Sequence, residues 1–192
     1  MTRRHVLQSD PDDRGFLPRL RAMLPKVHEK TGLRFVHSHT EDVSDDIQKY
    51  VLVEVEKRGS LSVLDDLDTG TRWLEIEGES EAFERQVDDA LLQLLEIVPL
   101  RQLRGQARNK PGPVTLKRMA RGAGGAADVE TVEILVASLS SDNPVRVCGA
   151  AEAATMLAWR ELADALEAAA GVKRTSRVKR ALRAALAACR PG

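Results

Sequence analysis

The chain has 192 residues, of which 43% are hydrophobic and 30% are charged, and its formal net charge is zero. These proportions lie in the ordinary range of globular proteins, and a chain of this length needs no disulfide or metal to stabilise its core. The amino-terminal segment lacks the apolar stretch of a signal peptide, and no apolar run approaches the roughly 20 residues of a membrane span. We therefore expect a cytoplasmic protein of one or two domains that has no membrane partner.

Acidic and basic residues are separated along the chain. Residues 1–100 contain 13 Lys and Arg against 21 Asp and Glu, a balance of −8. Residues 101–192 contain 16 Lys and Arg against 8 Asp and Glu, a balance of +8. A separation of this size concerns partners and the electrostatic field rather than the fold. It predicts either that the two halves attract each other or that the basic half binds an acidic partner.

The first predicted element is an amphipathic helix over residues 13–32. Its apolar side chains recur at helical spacing and form one stripe, made of Phe16, Leu17, Leu20, Met23, Leu24 and Val27. Pro25 predicts a kink or a stop near Leu24, because proline lacks the N–H that an interior helical residue donates. Gly32 predicts the carboxyl-terminal end of the helix.

A β-region is predicted next. Residues 33–39 form a short strand candidate, and residues 50–56 are richer in strand-forming side chains than any other window. Residues 42–49 could form a helical turn and could merge with 50–56 into one amphipathic helix, although we favour the strand. Two glycine-containing turns separate residues 50–56, 61–64 and 72–77, and this pattern predicts an antiparallel β-meander.

A helix over residues 80–98 closes the amino-terminal half, with an apolar period of 3.6 residues and Ser80 in the capping position. Three or four strands between two helices predict an α+β layer, in which helices cover one face of a sheet. The strongest break in the chain is Asn-Lys-Pro-Gly-Pro at residues 109–113. It predicts an acidic α+β domain over residues 1–108 and a basic, all-α domain over residues 109–192.

Only helices are predicted beyond this break. They cover residues 114–121, 129–138, 145–157, 160–170 and 177–189. Pro113, Pro144 and Ser176 each open a helix after a turn, so the openings recur about every 31 to 33 residues. The repeating unit is a helix, a tight turn and a second helix. Cys148 and Cys189 lie on apolar stretches of these helices, and we interpret both as small buried hydrophobic residues.

These repeats resemble the HEAT-repeat family, in particular its short bacterial form. The segments that carry the resemblance are residues 130–139, 141–146 and 149–154, followed by a second copy in 161–166 and 177–186. In that family a turn aspartate, and a valine followed by a basic residue, begin the second helix of each unit. Asp142, Val145 and Arg146 match this pattern, as do Val178 and Lys179. The resemblance implies packed helical hairpins that present a surface to a partner.

Two motifs of the acidic half have catalytic or metal-binding counterparts. Asp68-Thr69-Gly70 spells the aspartic-protease triplet, but no partner segment follows it, so we interpret it as a hairpin turn. His37 and His39 would share one face of a strand and could bind a metal together with nearby acidic residues. No further His or Cys completes such a set, so we expect surface histidines. The sequence thus predicts no catalytic residue, no metal site and no cofactor.

The carboxyl-terminal segment, residues 173–190, contains seven Lys and Arg and no acidic residue. On a helix its basic side chains lie opposite an apolar face, where they form either a solvated outer surface or an anion-binding stripe. The residues that we predict to contact a partner are Arg146, Arg177, Lys179, Arg180 and Arg183.

We therefore predict a non-enzymatic protein-interaction or adaptor module that binds an acidic partner protein through this basic helical surface. The alternative is a nucleic-acid-binding protein that uses the basic half and is gated by the acidic half. Base-stacking aromatic residues are missing from the basic half apart from Trp159, which we expect in the core.

Overall fold

The computed structural model describes residues 3–190, which fold as two units, one ending at Val98 and the other beginning at Pro99. The first unit contains a five-stranded antiparallel meander sheet with helices, and the second is a domain of packed helices. The predicted α+β class is therefore confirmed. No helix within residues 3–190 is both long and apolar enough to cross a membrane.

The strands of the sheet are β1 (Arg3–Val6), β2 (Phe35–Ser44), β3 (Ile47–Glu54), β4 (Gly59–Asp66) and β5 (Thr71–Gly78). Their order is β1-β5-β4-β3-β2, and all neighbouring pairs are antiparallel. Short hairpins connect β2 with β3, β3 with β4 and β4 with β5, so each of these strands lies beside the next one in the chain. The favoured strand over residues 50–56 is found as part of β3, which ends at Glu54. The helical alternative for residues 42–49 does not occur, because Glu41 and Asp42 pair with Lys49 and Gln48 across the β2–β3 hairpin.

Helices α1 (Phe16–Thr31) and α2 (Glu81–Leu92) contribute to the core that covers one face of this sheet. Cross-strand pairing places Leu52 opposite Leu61, and Leu61 opposite Ile76, so these three side chains form one apolar row. The helices add Phe16, Leu20, Val27, Phe83, Val87 and Leu91 to the same core. Burial of a side chain of this size stabilises the fold by about 1.5–3 kcal/mol.

Helix α1 continues through Pro25 to Thr31, so the predicted stop near Leu24 does not occur. Pro25 is exposed, while Leu20 and Val27 on the other side of the helix are completely buried. The carbonyl group that loses its helical donor at Pro25 is that of Arg21. The apolar side of the helix therefore holds it on the sheet. The predicted end at Gly32 is confirmed, since Gly32 adopts a φ of 71° and donates its N–H to the His28 carbonyl.

Ser80 caps helix α2, as predicted, and its hydroxyl accepts the Phe83 N–H at 3.2 Å. Replacing Ser80 with Ala is expected to lower the free energy of unfolding by about 1 kcal/mol, because one amide at the helix start loses its acceptor. Gly at the same position is expected to cost only a few tenths of a kcal/mol. Urea denaturation of the two variants measures the difference, and equal losses would contradict a capping role for the hydroxyl.

The second unit consists of three helical hairpins. Its helices are α3 (Leu100–Asn109), α4 (Pro113–Gly122), α5 (Val129–Leu139), α6 (Pro144–Leu157), α7 (Ala163–Gly171) and α8 (Ser176–Cys189), with a 3-10 turn at Arg160–Leu162. Short connections make consecutive helices antiparallel. The second helices of the hairpins pack side by side, α4 against α6 and α6 against α8, while α5 contacts both α3 and α7. The unit therefore has two layers of helices.

Helix α6 lies between two neighbours and is built from small residues. Its buried side includes Ala150, Ala151, Ala153 and Ala154, each completely inaccessible to solvent. Both free cysteines are buried, and the thiol of Cys189 on α8 lies 3.8 Å from the Ala154 carbonyl oxygen on α6. Small side chains allow helix axes to approach closely on both sides of α6.

Helix α3 explains why the second unit begins earlier than the predicted boundary after residue 108. Leu103 and Ala107 lie one turn apart and are buried, and α3 packs against α4 and α5. The Arg104 guanidinium lies 2.5 Å from the Asp128 carboxylate and 2.9 Å from that of Glu130, at the start of α5. Residues 109–113 are thus the turn inside the first hairpin.

Candidate basic interface on helix alpha-8

Helix α8 has one buried and one basic side. Val178, Leu182, Ala185 and Cys189 are buried, and their spacing of three or four residues forms a continuous apolar stripe. The exposed side carries four of the five predicted contact residues. These are Arg177, Lys179, Arg180 and Arg183, which we call the α8 basic face.

No carboxylate within residues 3–190 neutralises the α8 basic face. None of its four side chains forms a salt bridge within residues 3–190, and helix α8 itself contains no acidic residue. Some other cations of the unit are paired: Arg190 contacts Asp164 and Glu167, and Lys117 lies 3.5 Å from Glu152. The face therefore projects its positive charge into solvent.

The position of these cations on the helix is electrostatically unfavourable. Arg177, Lys179 and Arg180 lie in the first turns of α8, where the helix dipole already concentrates positive charge. The Thr175 side chain accepts no capping hydrogen bond there. A cation near a helix amino terminus costs about 0.3–1 kcal/mol at low ionic strength. The helix bears this cost, whereas a bound anion would remove it.

Arg146, the fifth predicted residue, lies apart on α6. It is half-buried, and its Nε atom donates a hydrogen bond to the Ser138 hydroxyl at 3.3 Å. The neighbouring turn is linked to the start of α8 by Arg174, whose guanidinium donates to the Ser141 carbonyl at 2.9 Å. Since α6 and α8 run in the same direction, Arg146 lies toward the same end of the unit as Arg177.

The cysteines do not supply a reactive group to this surface. Burial raises the pKa of the Cys148 thiol, Glu152 raises it further, and Arg177 opposes the shift. Burial also raises the pKa of the Cys189 thiol, and Glu161 adds to the effect. Both thiols are therefore protonated at neutral pH, while thiol chemistry requires the thiolate.

The two histidines of β2 do not share a face, contrary to the prediction. A β-bulge separates them, so His37 pairs with Leu52 whereas His39 pairs with Val51. Leu52 and Val51 are consecutive and point to opposite faces of the sheet, and the histidines follow their partners. Among the described residues no group of three or more His, Cys, Asp or Glu is arranged to hold a metal ion.

Asp68-Thr69-Gly70 forms the predicted turn. It connects β4 to β5, and the Asp66 carboxylate accepts the Thr69 N–H at 3.0 Å. Gly70 has a φ of 59°, which belongs to the left-handed region that glycine adopts without strain. The triplet is explained by hairpin geometry.

One cluster of basic residues was not identified from the sequence. Arg21, His28 and Arg34 line a groove of the first unit, together with Leu24, Pro25 and Phe35. The two arginines are 13 positions apart, with Arg21 in α1 and Arg34 in the connection before β2, so no local pattern marks them. Each is an ordinary surface residue in the sequence, and only the packing of α1 beside the start of β2 brings them to one groove.

The stacked hairpins match the helix–turn–helix unit that the sequence spacing predicts. Their two-layer arrangement is typical of α-solenoids, in which repeats contact only their neighbours. The HEAT-repeat resemblance itself stays a prediction based on the residues quoted above. No protein-family model and no curated protein matches this chain.

Proposed function

We propose that this protein is a non-enzymatic interaction module whose α8 basic face binds an acidic partner protein. The observation that carries the proposal is the group of four exposed cations without a salt bridge in residues 3–190. The HEAT-like hairpins would act as a scaffold that holds α8 in place. A cytoplasmic location, expected from the sequence, belongs to the same proposal.

Helical packing supports a preformed site. Val178 and Leu182 anchor α8 through side chains that are 1% and 0% exposed, so the backbone under the cations is fixed. The planar guanidinium group of arginine can bind a carboxylate through two parallel hydrogen bonds. Arg177, Arg180 and Arg183 provide three such groups. A basic surface of this kind accelerates association with an acidic partner and suppresses binding to basic proteins.

Nucleic-acid binding by the basic half, gated by the acidic half, is the alternative. The one tryptophan of the helical unit does not favour recognition of single strands. Trp159 is 6% exposed, and its indole N–H donates to the Gly125 carbonyl at 2.9 Å. It is therefore a core side chain, whereas proteins that bind single strands stack bases on exposed aromatic rings. Binding to a duplex remains as an outcome of the test below.

Replacing Arg177, Lys179, Arg180 and Arg183 together with Gln is expected to weaken binding to an acidic polypeptide. Poly-L-glutamate is the probe, and fluorescence anisotropy at an ionic strength of about 0.15 M, where the Debye length is about 8 Å, gives the dissociation constant. We expect an increase of about tenfold or more, because each removed exposed cation contributes a few tenths to 1 kcal/mol. The variant is expected to be at least as stable as the native chain in urea, because fewer cations oppose the helix dipole.

A matched control removes the same charge elsewhere in the helical unit. Gln replaces four other exposed cations, which are Arg101, Arg108, Lys110 and Arg160. The control is expected to keep poly-L-glutamate affinity within about threefold, since surface charges separated by more than a Debye length are screened. An equal loss in both variants would show that net charge, not the α8 basic face, determines binding.

Two further arms separate the candidate partners. The first arm measures the affinity of the chain for a DNA duplex of random sequence. If the chain binds this duplex more tightly than poly-L-glutamate, and if the affinity falls steeply as the salt concentration rises, the nucleic-acid alternative replaces the proposal. A pull-down from the native cell uses the native chain, the α8 variant and the control as baits. The proposal predicts an acidic protein that the native and control baits retain and the α8 variant loses.

A further inference from the structure

The α1–β2 groove of the first unit is an open depression lined by basic and apolar side chains. Its lining residues are Arg21, Leu24, Pro25, His28, Arg34 and Phe35, and its volume is about 430 Å³. Ligand pockets commonly have volumes of about 300–1,000 Å³ and combine an apolar lining with a few polar groups. The groove has three basic and three apolar lining residues and no acidic one.

The two arginines of the groove are exceptional within their unit. Six of the nine arginines in residues 3–98 have a carboxylate within 4.0 Å, namely Arg3, Arg4, Arg19, Arg58, Arg72 and Arg85. Arg14, Arg21 and Arg34 have none among the described residues. Residues 1–100 contain 21 acidic against 13 basic side chains, so carboxylates are in excess. Two of the three arginines left without one nevertheless line the same groove.

Arg21 is held in position by a stack of neighbouring side chains. Its Nε atom donates to the Tyr50 hydroxyl at 2.7 Å, and its guanidinium carbon lies 5.3 Å from the centre of the Tyr50 ring. The His37 ring stacks on the same tyrosine with a centroid distance of 4.4 Å and an interplanar angle of 14°. The Nη1 and Nη2 atoms form no hydrogen bond within residues 3–190. The side chain is thus oriented while its terminal donors stay available.

We propose that the α1–β2 groove binds a small organic anion whose anionic head is held by Arg21 and Arg34 and whose apolar body contacts Leu24 and Phe35. The two guanidinium groups supply charged donors, which suit a carboxylate, sulfonate or phosphate head. The apolar side chains add affinity in proportion to the surface that they remove from water. This site is independent of the α8 basic face.

The test measures binding of 8-anilinonaphthalene-1-sulfonate, a dye with an anionic head and an apolar body, to the full chain. Arg34→Gln is the main variant, because the Arg34 side chain forms no hydrogen bond or salt bridge within residues 3–190 whose loss would disturb folding. We expect a single saturable site in the native chain and a dissociation constant about tenfold higher in the variant, since a hydrogen bond to a charged group has this effect. Arg14→Gln is the control, because Arg14 is also exposed and has no salt bridge within residues 3–190 but lies outside the groove.

Competition then tests the chemical class of the ligand. Octanoate, which has both a head and an apolar body, is expected to displace the dye at concentrations where inorganic phosphate and octanol displace little. Displacement by phosphate equal to that by octanoate would overturn the amphipathic assignment. The groove itself is overturned by an unchanged affinity in Arg34→Gln, by an equal loss in Arg14→Gln, or by dye binding that does not saturate.

Discussion

Arg72→Met is expected to lower the free energy of unfolding of the first unit by about 3 kcal/mol or more. Arg72 is 3% exposed, and its guanidinium contacts the two Asp65 carboxylate oxygens at 2.5 and 2.8 Å. It also donates to the Ser9 hydroxyl at 3.1 Å and to the Pro11 and Asp13 carbonyls at 3.2 Å. Removing it leaves a carboxylate and two carbonyl groups without their donor in a largely dry environment.

The same side chain connects distant parts of the chain. Its hydrogen bonds reach β4 through Asp65 and the segment before α1 through Ser9 and Pro11, and its guanidinium carbon lies 4.6 Å from the centre of the Phe16 ring. Methionine matches the length of the arginine stem and restores none of these bonds. We therefore expect that the variant loosens the start of α1 as well as the sheet.

Arg85→Met is the matched control for this prediction. Arg85 pairs with Glu81 at 2.7 Å, but both side chains are more than 60% exposed, at 61% and 65%. An exposed pair at this helical spacing contributes about 0.3–0.5 kcal/mol, so the control is expected to stay close to the native chain. Urea denaturation followed by far-ultraviolet circular dichroism compares the two variants. Equal losses, or a loss below 1 kcal/mol for Arg72→Met, would show that the buried network does not support the fold.

The elements that the sequence predicted well are those with local signals. The end of α1 at Gly32 and the cap at Ser80 depend on residues within one helical turn. Strand β1 was missed because its four residues, Arg-Arg-His-Val, carry no adjacent hairpin turn and pair with β5, about 70 positions away. Pro25 misled the prediction because proline is tolerated where the opposite side of a helix is anchored in the core.

The two candidate sites also differ in whether local sequence signals identify them. The cations of the α8 basic face lie within seven consecutive residues, so charge and helical spacing were sufficient to identify them. Whether a cation is neutralised depends on tertiary contacts, and the sequence does not indicate which cations have a carboxylate partner. Arg104 belongs to the same basic half but is occupied by Asp128 and Glu130, while Arg21 and Arg34 lack such partners in an acidic unit. Pairing, not composition, decides which charges are available to a ligand.

Gly149→Ala is expected to destabilise the helical unit by about 1–3 kcal/mol, because it overpacks a close contact between α4 and α6. A Cβ atom at Gly149 would lie 2.6 Å from the Cα atom of Pro113 and 3.1 Å from its Cβ atom. The nearest obstacle is backbone at the first residue of α4, which cannot rotate away as a flexible side chain could. Helices α4 and α6 would have to separate, and α8 packs against α6 on its other side.

Gly105→Ala is the matched control, because it makes the same chemical change inside a helix of the same unit. A Cβ atom at Gly105 meets no atom within 4 Å apart from the adjoining backbone of its own helix, so only backbone conformational entropy and helix propensity change. That variant is expected to be more stable than the native chain by about 0.5–1 kcal/mol. Urea denaturation followed by Trp159 fluorescence in a Trp73→Phe background reports on the helical unit, since these are the two tryptophans of the chain. If Gly149→Ala lowers the free energy of unfolding while Gly105→Ala raises it, close approach of α4 and α6 is required at Gly149. If both variants are more stable than the native chain, the layer tolerates a wider spacing of these helices.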